Sequence, residues 1–522
     1  MFYCKNQPFD LTKIEESSVE ETSRLAQDDQ CDEDEKIIID TIKHYSHLSK
    51  PLEPSNQEVE NLSSSIFNYA NRFLAEINDA DVFFFDEETT NHSFLEALKP
   101  TENGSNIDYI INITENHLNK SGLNTLSPNH FGYIPAGGIY ASELADYLVS
   151  VANRFPSIYF CAPAIVELEN SMIRWFCNLF GYAEKSGGVF TSGGSMATLT
   201  AIIAARDKYE LTKKDLKKTV VYLTPYSHYC IQKGLNIAGL NQVLTRMVKV
   251  DESFKMDTQH LNTLIEQDVK EGLMPWMVVG TAGTTDLGSV DPIDEIERIG
   301  HQFNMWVHVD AAYGGFFILT EKGKHLFKNF HLVDSIVVDP HKSLFLPYGI
   351  GSVLVKDMSI LLESFSYDAN YLRDYESNPN YVSPADISLE LSRNFRGLKL
   401  WLPIKLYGIK PFRAALEEKL LLAQYFYTEI QKIEGVQIAC KPELSIVTFR
   451  YIPKITKSAN TFNSTLIKEI QSDGKVFMSS TLIEEDVYLR MACLSFRSHL
   501  ENVQLLIDTI REKISSLNQT HY

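Results

Sequence analysis

Two stretches decide the fold: Trp306-Val307-His308-Val309-Asp310-Ala311-Ala312-Tyr313-Gly314-Gly315 and, further along, Ser335-Ile336-Val337-Val338-Asp339-Pro340-His341-Lys342-Ser343. Each is a short apolar run closed by an acid. Such a run reads as a strand buried on both faces, with polar chemistry only where it leaves the sheet. Working outward, similar runs occur at Val189–Thr191, Val220–Leu223, Met247–Val250, Met277–Gly280 and Gly351–Val355, with helix-patterned segments such as Ser195–Lys208 and Pro292–Phe303 between most of them. This alternation predicts an α/β fold built on a mainly parallel, seven-stranded sheet covered by helices on both faces.

The rest of the chain is patterned differently. Helices are expected at Tyr140–Asn153 and Ala164–Phe180. A long helical pattern at Leu398–Ile433, broken at Gly408 and Pro411, is followed by short strands at Val436–Cys440, Ser445–Arg450, Val476–Ser479 and Tyr488–Leu494, with helices at Asn460–Ser472 and Leu500–Ser516. The expected division is an acidic extension over 1–60, a helical segment over 61–139, a large α/β domain over 140–397 and a small α+β domain over 398–522. Residues 1–40 hold 12 Asp/Glu against 4 Lys/Arg, a composition that suits a solvated extension, helical near Ile37–Ile39.

Composition excludes several classes. A hydrophobic fraction of 44% supports a large core, and a formal charge of −20 disfavours nucleic acid or an anionic membrane as partner. No apolar run is long enough to span a bilayer, and the N-terminus lacks the basic-then-apolar order of a signal peptide. The seven cysteines contain no C-x-x-C pair, which fits free thiols in a reducing cytoplasm and no metal site. H-E-x-x-H, P-loop and G-x-G-x-x-G patterns are absent.

In open α/β sheets ligands bind at the carboxyl ends of the strands, so the residues after each strand are the test for a site. The first strand runs into Thr191-Ser192-Gly193-Gly194-Ser195, a glycine turn that offers a helix N-terminus to an anion. The second runs into Tyr226-Ser227-His228-Tyr229, and His228 could lie flat on a ring. The fourth leads into Thr281-Ala282-Gly283-Thr284-Thr285. Asp310 closes the fifth, with small Ala312 beside it and His308 on the same side of the strand. Lys342 follows the sixth, where desolvation is expected to depress its amine and make it a nucleophile. Each feature alone has a bland structural reading. Together they match one ligand, pyridoxal 5′-phosphate, which needs an anion cradle, a carboxylate for its ring nitrogen, a lysine for its aldehyde and flat covers for its ring.

These residues bring the chain close to a known family. His130-Phe131-Gly132-Tyr133-Ile134-Pro135, Ala162-Pro163 with Glu167-Leu168-Glu169, Gly188-Val189-Phe190-Thr191-Ser192-Gly193-Gly194-Ser195, His308-Val309-Asp310-Ala311-Ala312-Tyr313-Gly314, Asp339-Pro340-His341-Lys342 and Arg396-Gly397-Leu398-Lys399-Leu400-Trp401 resemble the motifs of the group II pyridoxal-phosphate-dependent amino-acid decarboxylases, the bacterial aromatic enzymes most of all. The resemblance implies the fold type I architecture and a cytoplasmic homodimer with active sites shared between subunits. It implies that Lys342 binds the cofactor's aldehyde, that Asp310 pairs with the ring nitrogen, and that His228 and Ala312 cover the two ring faces. It implies Gly193, Gly194, Ser195 and His341 around the phosphate, and Thr281 among the cofactor contacts. It makes Tyr371 the loop tyrosine that returns a proton after carbon dioxide leaves, with His228 as the alternative donor. Tyrosine at that point, where some relatives carry phenylalanine, implies plain decarboxylation to the amine.

Two departures stand out. Asp339 replaces an asparagine of many animal relatives, and a carboxylate cannot donate to phosphate. Ala136 replaces a threonine expected near the substrate's carboxylate. Tyr133, Pro135 and Phe155 are expected to line a substrate pocket that favours an aromatic or bulky L-amino acid. A glutamate- or cysteine-sulfinate-type decarboxylase, a sphingosine-phosphate-lyase-like enzyme and a non-catalytic scaffold remain as alternatives.

Overall fold

The computed structural model describes residues 25–85, 92–135, 137–367, 381–454 and 458–519. Seven strands form the central sheet: β1 (Gly187–Thr191), β2 (Thr219–Leu223), β3 (Leu244–Met247), β4 (Met274–Thr281), β5 (Trp306–Asp310), β6 (Ser335–Val338) and β7 (Gly351–Val355). Their spatial order is β1-β7-β6-β5-β4-β2-β3. Strand β7 runs antiparallel to β1 and β6, and every other pair is parallel. The carboxyl ends of β1, β2, β4, β5 and β6 therefore open on the same edge of the sheet.

Alternation along the strands feeds two cores. Val278 and Val307 enter one apolar cluster, with Phe176 and Phe316. Met277, Val279 and Trp306 enter the other, with Ala197 and Ala201 of the helix Gly194–Lys208. Both faces are covered, which is why the strands read as continuous apolar runs.

The expected third strand, Met247–Val250, is displaced to Leu244–Met247. This is an edge strand with half-buried, partly polar residues. Arg246 on it reaches the buried Asp268 at 2.6 Å. A reading based on apolar runs passes over such an edge. The long C-terminal helical pattern divides into Gly397–Tyr407 and Ile409–Ile430. The break is at Gly408, whose φ of 72° glycine adopts without strain. Pro411 sits in the first turn of the second helix, where its missing N–H costs nothing.

A second, five-stranded sheet has the order Val436–Ile438, Ile446–Tyr451, Asp486–Ala492, Phe477–Ile483 and His130–Phe131. Its last member is parallel to its neighbour and comes from far upstream. Helices Ala459–Ser472 and Leu500–Gln519 pack on it around Phe426, Leu466, Leu489 and Leu506. Contacts divide the chain into two compact units: residues 1–74 with 103–112, and residues 75–102 with 113–522, which hold both sheets. In the first unit, a helix spans Leu25–Leu48 and leaves Ile37, Ile38 and Ile42 exposed. No helix among the described residues is long and apolar enough to cross a membrane.

Candidate active site

A cavity of about 410 Å³ lies at the carboxyl edge of the central sheet. Gly193, Gly194, Ser195, His228, Thr281, Asp310, Ala312, His341 and Lys342 all line it. Ordinary β/α geometry brings them there, because each follows or ends a strand of the same sheet.

The cradle starts at the helix Gly194–Lys208. With no side chain at Gly193 or Gly194, the backbone stays open. A Cβ on Gly194 would stand 2.7 Å from Asp339 Oδ2 and 3.4 Å from the Ala312 Cβ, so a side chain here would force the Asp339 carboxylate to shift. Asp310 ends β5 and is buried. Its Oδ1 accepts from the Ala312 N–H at 3.1 Å, which fixes the carboxylate beside the alanine. Thr281 ends β4, and its Oγ1 is buried with no partner among the described residues. Its N–H donates to Asp291 Oδ2 at 2.7 Å, while Asp291 Oδ1 takes the Met256 N–H at 2.8 Å. Burial pushes the Asp291 carboxyl up to about 6.

Lys342 lies in the short helix Pro340–Ser343, which starts on β6. Its side chain keeps 20% of its surface, and its Nζ is 3.1 Å from Asp339 Oδ2. Here the structure corrects the sequence expectation of a depressed amine. Burial alone pulls the Lys342 amine down. The charges of Asp339 and Asp310 and the Asp339 hydrogen bond more than offset it, so the net shift is upward. The free lysine is an ammonium at neutral pH and must shed a proton before it can attack a carbonyl.

His228 Nδ1 accepts the Cys230 N–H at 3.3 Å, which leaves the ring proton on Nε2. Burial lowers its basicity, against the opposing charge of Asp310. Its ring is therefore neutral at pH 7 and offers a donor. His341 Nδ1 is engaged by the Ile350 carbonyl, and burial lowers this ring too. His308 does not line the cavity. It is fully buried, with Nδ1 2.7 Å from Ser335 Oγ, so it belongs to the wall behind Asp310.

Sequence reasoning passed over Cys230, Tyr226, Thr285 and Tyr348, which also line the cavity. Cys230 opens a helix two residues after His228, a spacing that only the turn geometry makes meaningful. The ligating atoms of His228, Cys230 and Asp310 lie within 4.8 Å of one another. Burial pushes the Cys230 thiol up to about 12, and the His228 Nδ1 is already occupied, so the trio is poorly prepared for a cation.

Tyr133, Pro135 and Phe155 are not among the residues lining the cavity. Tyr133 is 52% exposed and packs beside Phe477, and Phe155 is 40% exposed. Tyr371 and Ala136 lie outside the described residues. The Glu169 and Arg396 motifs act as scaffold. Glu169 Oε1 caps Arg396 N and Gly397 N at 2.9 Å each, and Oε2 meets Arg393 at 2.5 Å.

The donor set fits pyridoxal 5′-phosphate: an open helix start where a Cβ would intrude, a buried carboxylate, an unpartnered buried hydroxyl and a cavity-lining amine. Comparisons agree. Residues 92–452 match the family described as the pyridoxal-dependent decarboxylase conserved domain. An aromatic-L-amino-acid decarboxylase of Bacillus atrophaeus is 31% identical over 425 residues, covering 79% of this chain and 87% of that protein. Its counterpart from Cavia porcellus is 30% identical over 410 residues, covering 75% and 84%. The crystal structure of Oryza sativa TDC with PLP and tryptamine superposes with a TM-score of 0.84 at 22% identity, covering 89% of this chain and 99% of that one. That likeness shows the shared fold, fold type I. The chain belongs to the pyridoxal-dependent decarboxylase family. Its chemistry is that of a pyridoxal-phosphate-dependent carboxy-lyase acting on an amino acid.

Proposed function

We propose that the enzyme converts aromatic L-amino acids to their amines and carbon dioxide. The observation that carries this reading is the convergence of Lys342, Asp310, His228 and the Gly193-Gly194-Ser195 helix start on one cavity. The substrate class follows the two relatives above, both aromatic-L-amino-acid decarboxylases.

When bound, pyridoxal 5′-phosphate supplies an electron-withdrawing ring that accepts the pair released as the carbon–carboxyl bond breaks. The backbone N–H groups after Gly193 hold its phosphate at the positive end of the helix Gly194–Lys208, with Ser195 and His341 alongside. The Asp310 carboxylate holds a proton at the ring nitrogen, which keeps the ring electron-poor. Ala312 and His228, both lining the cavity, would cover the ring. Thr281 Oγ1, which has no partner among the described residues, would be left for the cofactor. Lys342, whose amine lines the cavity, would hold the cofactor through its aldehyde. His228, with its proton on Nε2, and Tyr371 return a proton to the α-carbon. Tyr133, Pro135 and Phe155 reach the substrate in a homodimer with shared sites, a state supported by the exposure of Tyr133 and Phe155 in the single chain. The domain division 140–397 and 398–522 and a cytoplasmic location belong to the same reading.

Incubating the holoenzyme with each of the twenty amino acids, cysteine sulfinate and diaminobutyrate, with amine detection, tests the substrate. Tryptophan, tyrosine or phenylalanine should give the highest kcat/KM. A preference for an acidic substrate would overturn the aromatic assignment.

A further inference from the structure

Asp339 is a carboxylate of the cavity that the chemistry above leaves unused. Its side chain is 1% exposed, and Oδ1 has no partner among the described residues. Oδ2 faces Lys342 Nζ at 3.1 Å and His341 Nε2 at 3.8 Å. A Cβ on Gly194 would meet Oδ2 at 2.7 Å, and one on Gly351 would fall against Oδ1. The carboxylate is thus sealed against the first residue of the helix Gly194–Lys208. This is the helix start assigned above to the phosphate, and the inference rests on that reading.

A buried, ionised Asp339 carboxylate and an oxyanion seated at the adjoining helix start repel each other. The helix end and the Lys342 ammonium can compensate one of them more readily than both. Oδ1 already lacks a donor, so protonation there removes a buried charge and creates a donor in one step.

We propose that Asp339 takes up one proton from solvent when an oxyanion seats at this helix start, forming a neutral acid whose O–H donates where the carboxylate would repel. The site's hold on a phosphate group then weakens as pH rises. The balance is simple: one O–H bond forms at Asp339, and one proton leaves bulk water.

The titratable groups lining the cavity with Asp339 are Lys342 and His341 on the helix it precedes, Asp310 on β5, His228 and Cys230 beyond β2, and Tyr348. Lys399 lies further off, its amine 2.6 Å from Asp146. Burial keeps His341 and His228 below their ordinary value and Cys230 at about 12, and it raises Tyr348, while Lys342 is shifted up. With the site empty, none of these five changes charge between pH 7 and 9. Asp310 is controlled for by Asp310→Asn.

The test uses the full-length cofactor-free enzyme and sulfate, a dianion whose charge does not titrate. Sulfate affinity is read by calorimetry and by competition with pyridoxal 5′-phosphate. The expected result is a loss of about tenfold in affinity per pH unit between pH 7 and 9. One proton should be taken up per sulfate in weak buffer, a readout that needs no variant. Asp339→Asn should be flat with pH and take up no proton, whereas Asp310→Asn should keep the slope. Sulfate that competes with the cofactor but gives the same pH profile in wild type and Asp339→Asn, or no proton uptake, overturns the proposal and leaves the cradle intact. Sulfate that does not compete with the cofactor removes the cradle reading and the proposal together.

Discussion

The chemistry of single residues depends on charges placed by their neighbours. Lys342 shows this most clearly. Its burial argues for a depressed amine, and Asp339 and Asp310 reverse the sign. Lys342, Asp310 and His228 were legible because, at or beyond the ends of neighbouring strands, they match one ligand together, although each alone has a bland structural reading. The sequence could not reveal the Lys342 charge state, which depends on a distance of 3.1 Å set by the turn after β6. Asp310→Asn keeps the shape and the hydrogen bond to Ala312 N but loses the anion that holds a proton on the ring. It should lower kcat by on the order of 10²–10³ while cofactor still binds. Steady-state kinetics and cofactor absorbance check this, and an unchanged kcat would remove Asp310 from its role.

At the scale of elements, the strands were legible wherever both faces are buried, and least legible at the sheet edge. Leu244–Met247 carries Thr245 and Arg246, so its polarity hid it. His130–Phe131 is too short for periodicity and pairs with a strand some 350 positions later in the chain, which no local pattern encodes. Two glycines separate site from scaffold. A Cβ on Gly188 would stand 2.1 Å from the Val353 carbonyl oxygen, inside the β1–β7 pair. Backbone cannot give way there, so Gly188→Ala should lower the thermal midpoint by several degrees. The Cβ of Gly194→Ala meets a side-chain carboxylate instead. It should weaken cofactor binding at least tenfold with a much smaller loss of stability, as equilibrium titration and thermal unfolding would show. Equal stability losses in the two variants would contradict the distinction.

For the whole molecule, buried titratable groups set the response to acid. Burial holds His130 and His308 down at about 4, and both are fully buried. Unfolded histidine binds a proton near 6.5, so each contributes stability that is lost as pH falls from about 6.5 to 4, roughly 3 kcal/mol apiece. Asp291 has the opposite sign. Its carboxyl, raised to about 6, regains roughly 3 kcal/mol over much the same interval as it protonates. The two histidines outweigh the aspartate, and His228 and His341, also lowered by burial, add to them, so a net loss of stability is expected on acidification from pH 6.5 to 4. Urea unfolding across that range measures it, and stability that is level or rising towards pH 4 would refute this balance.

The central claim is that Lys342 carries the cofactor. Borohydride reduction of the coloured holoenzyme, followed by proteolysis and mass spectrometry, reads it directly. The account predicts a single pyridoxyl-phosphate adduct on the peptide containing Lys342, and none after Lys342→Ala. An adduct on another lysine, or a wild-type enzyme that binds no cofactor, would contradict it.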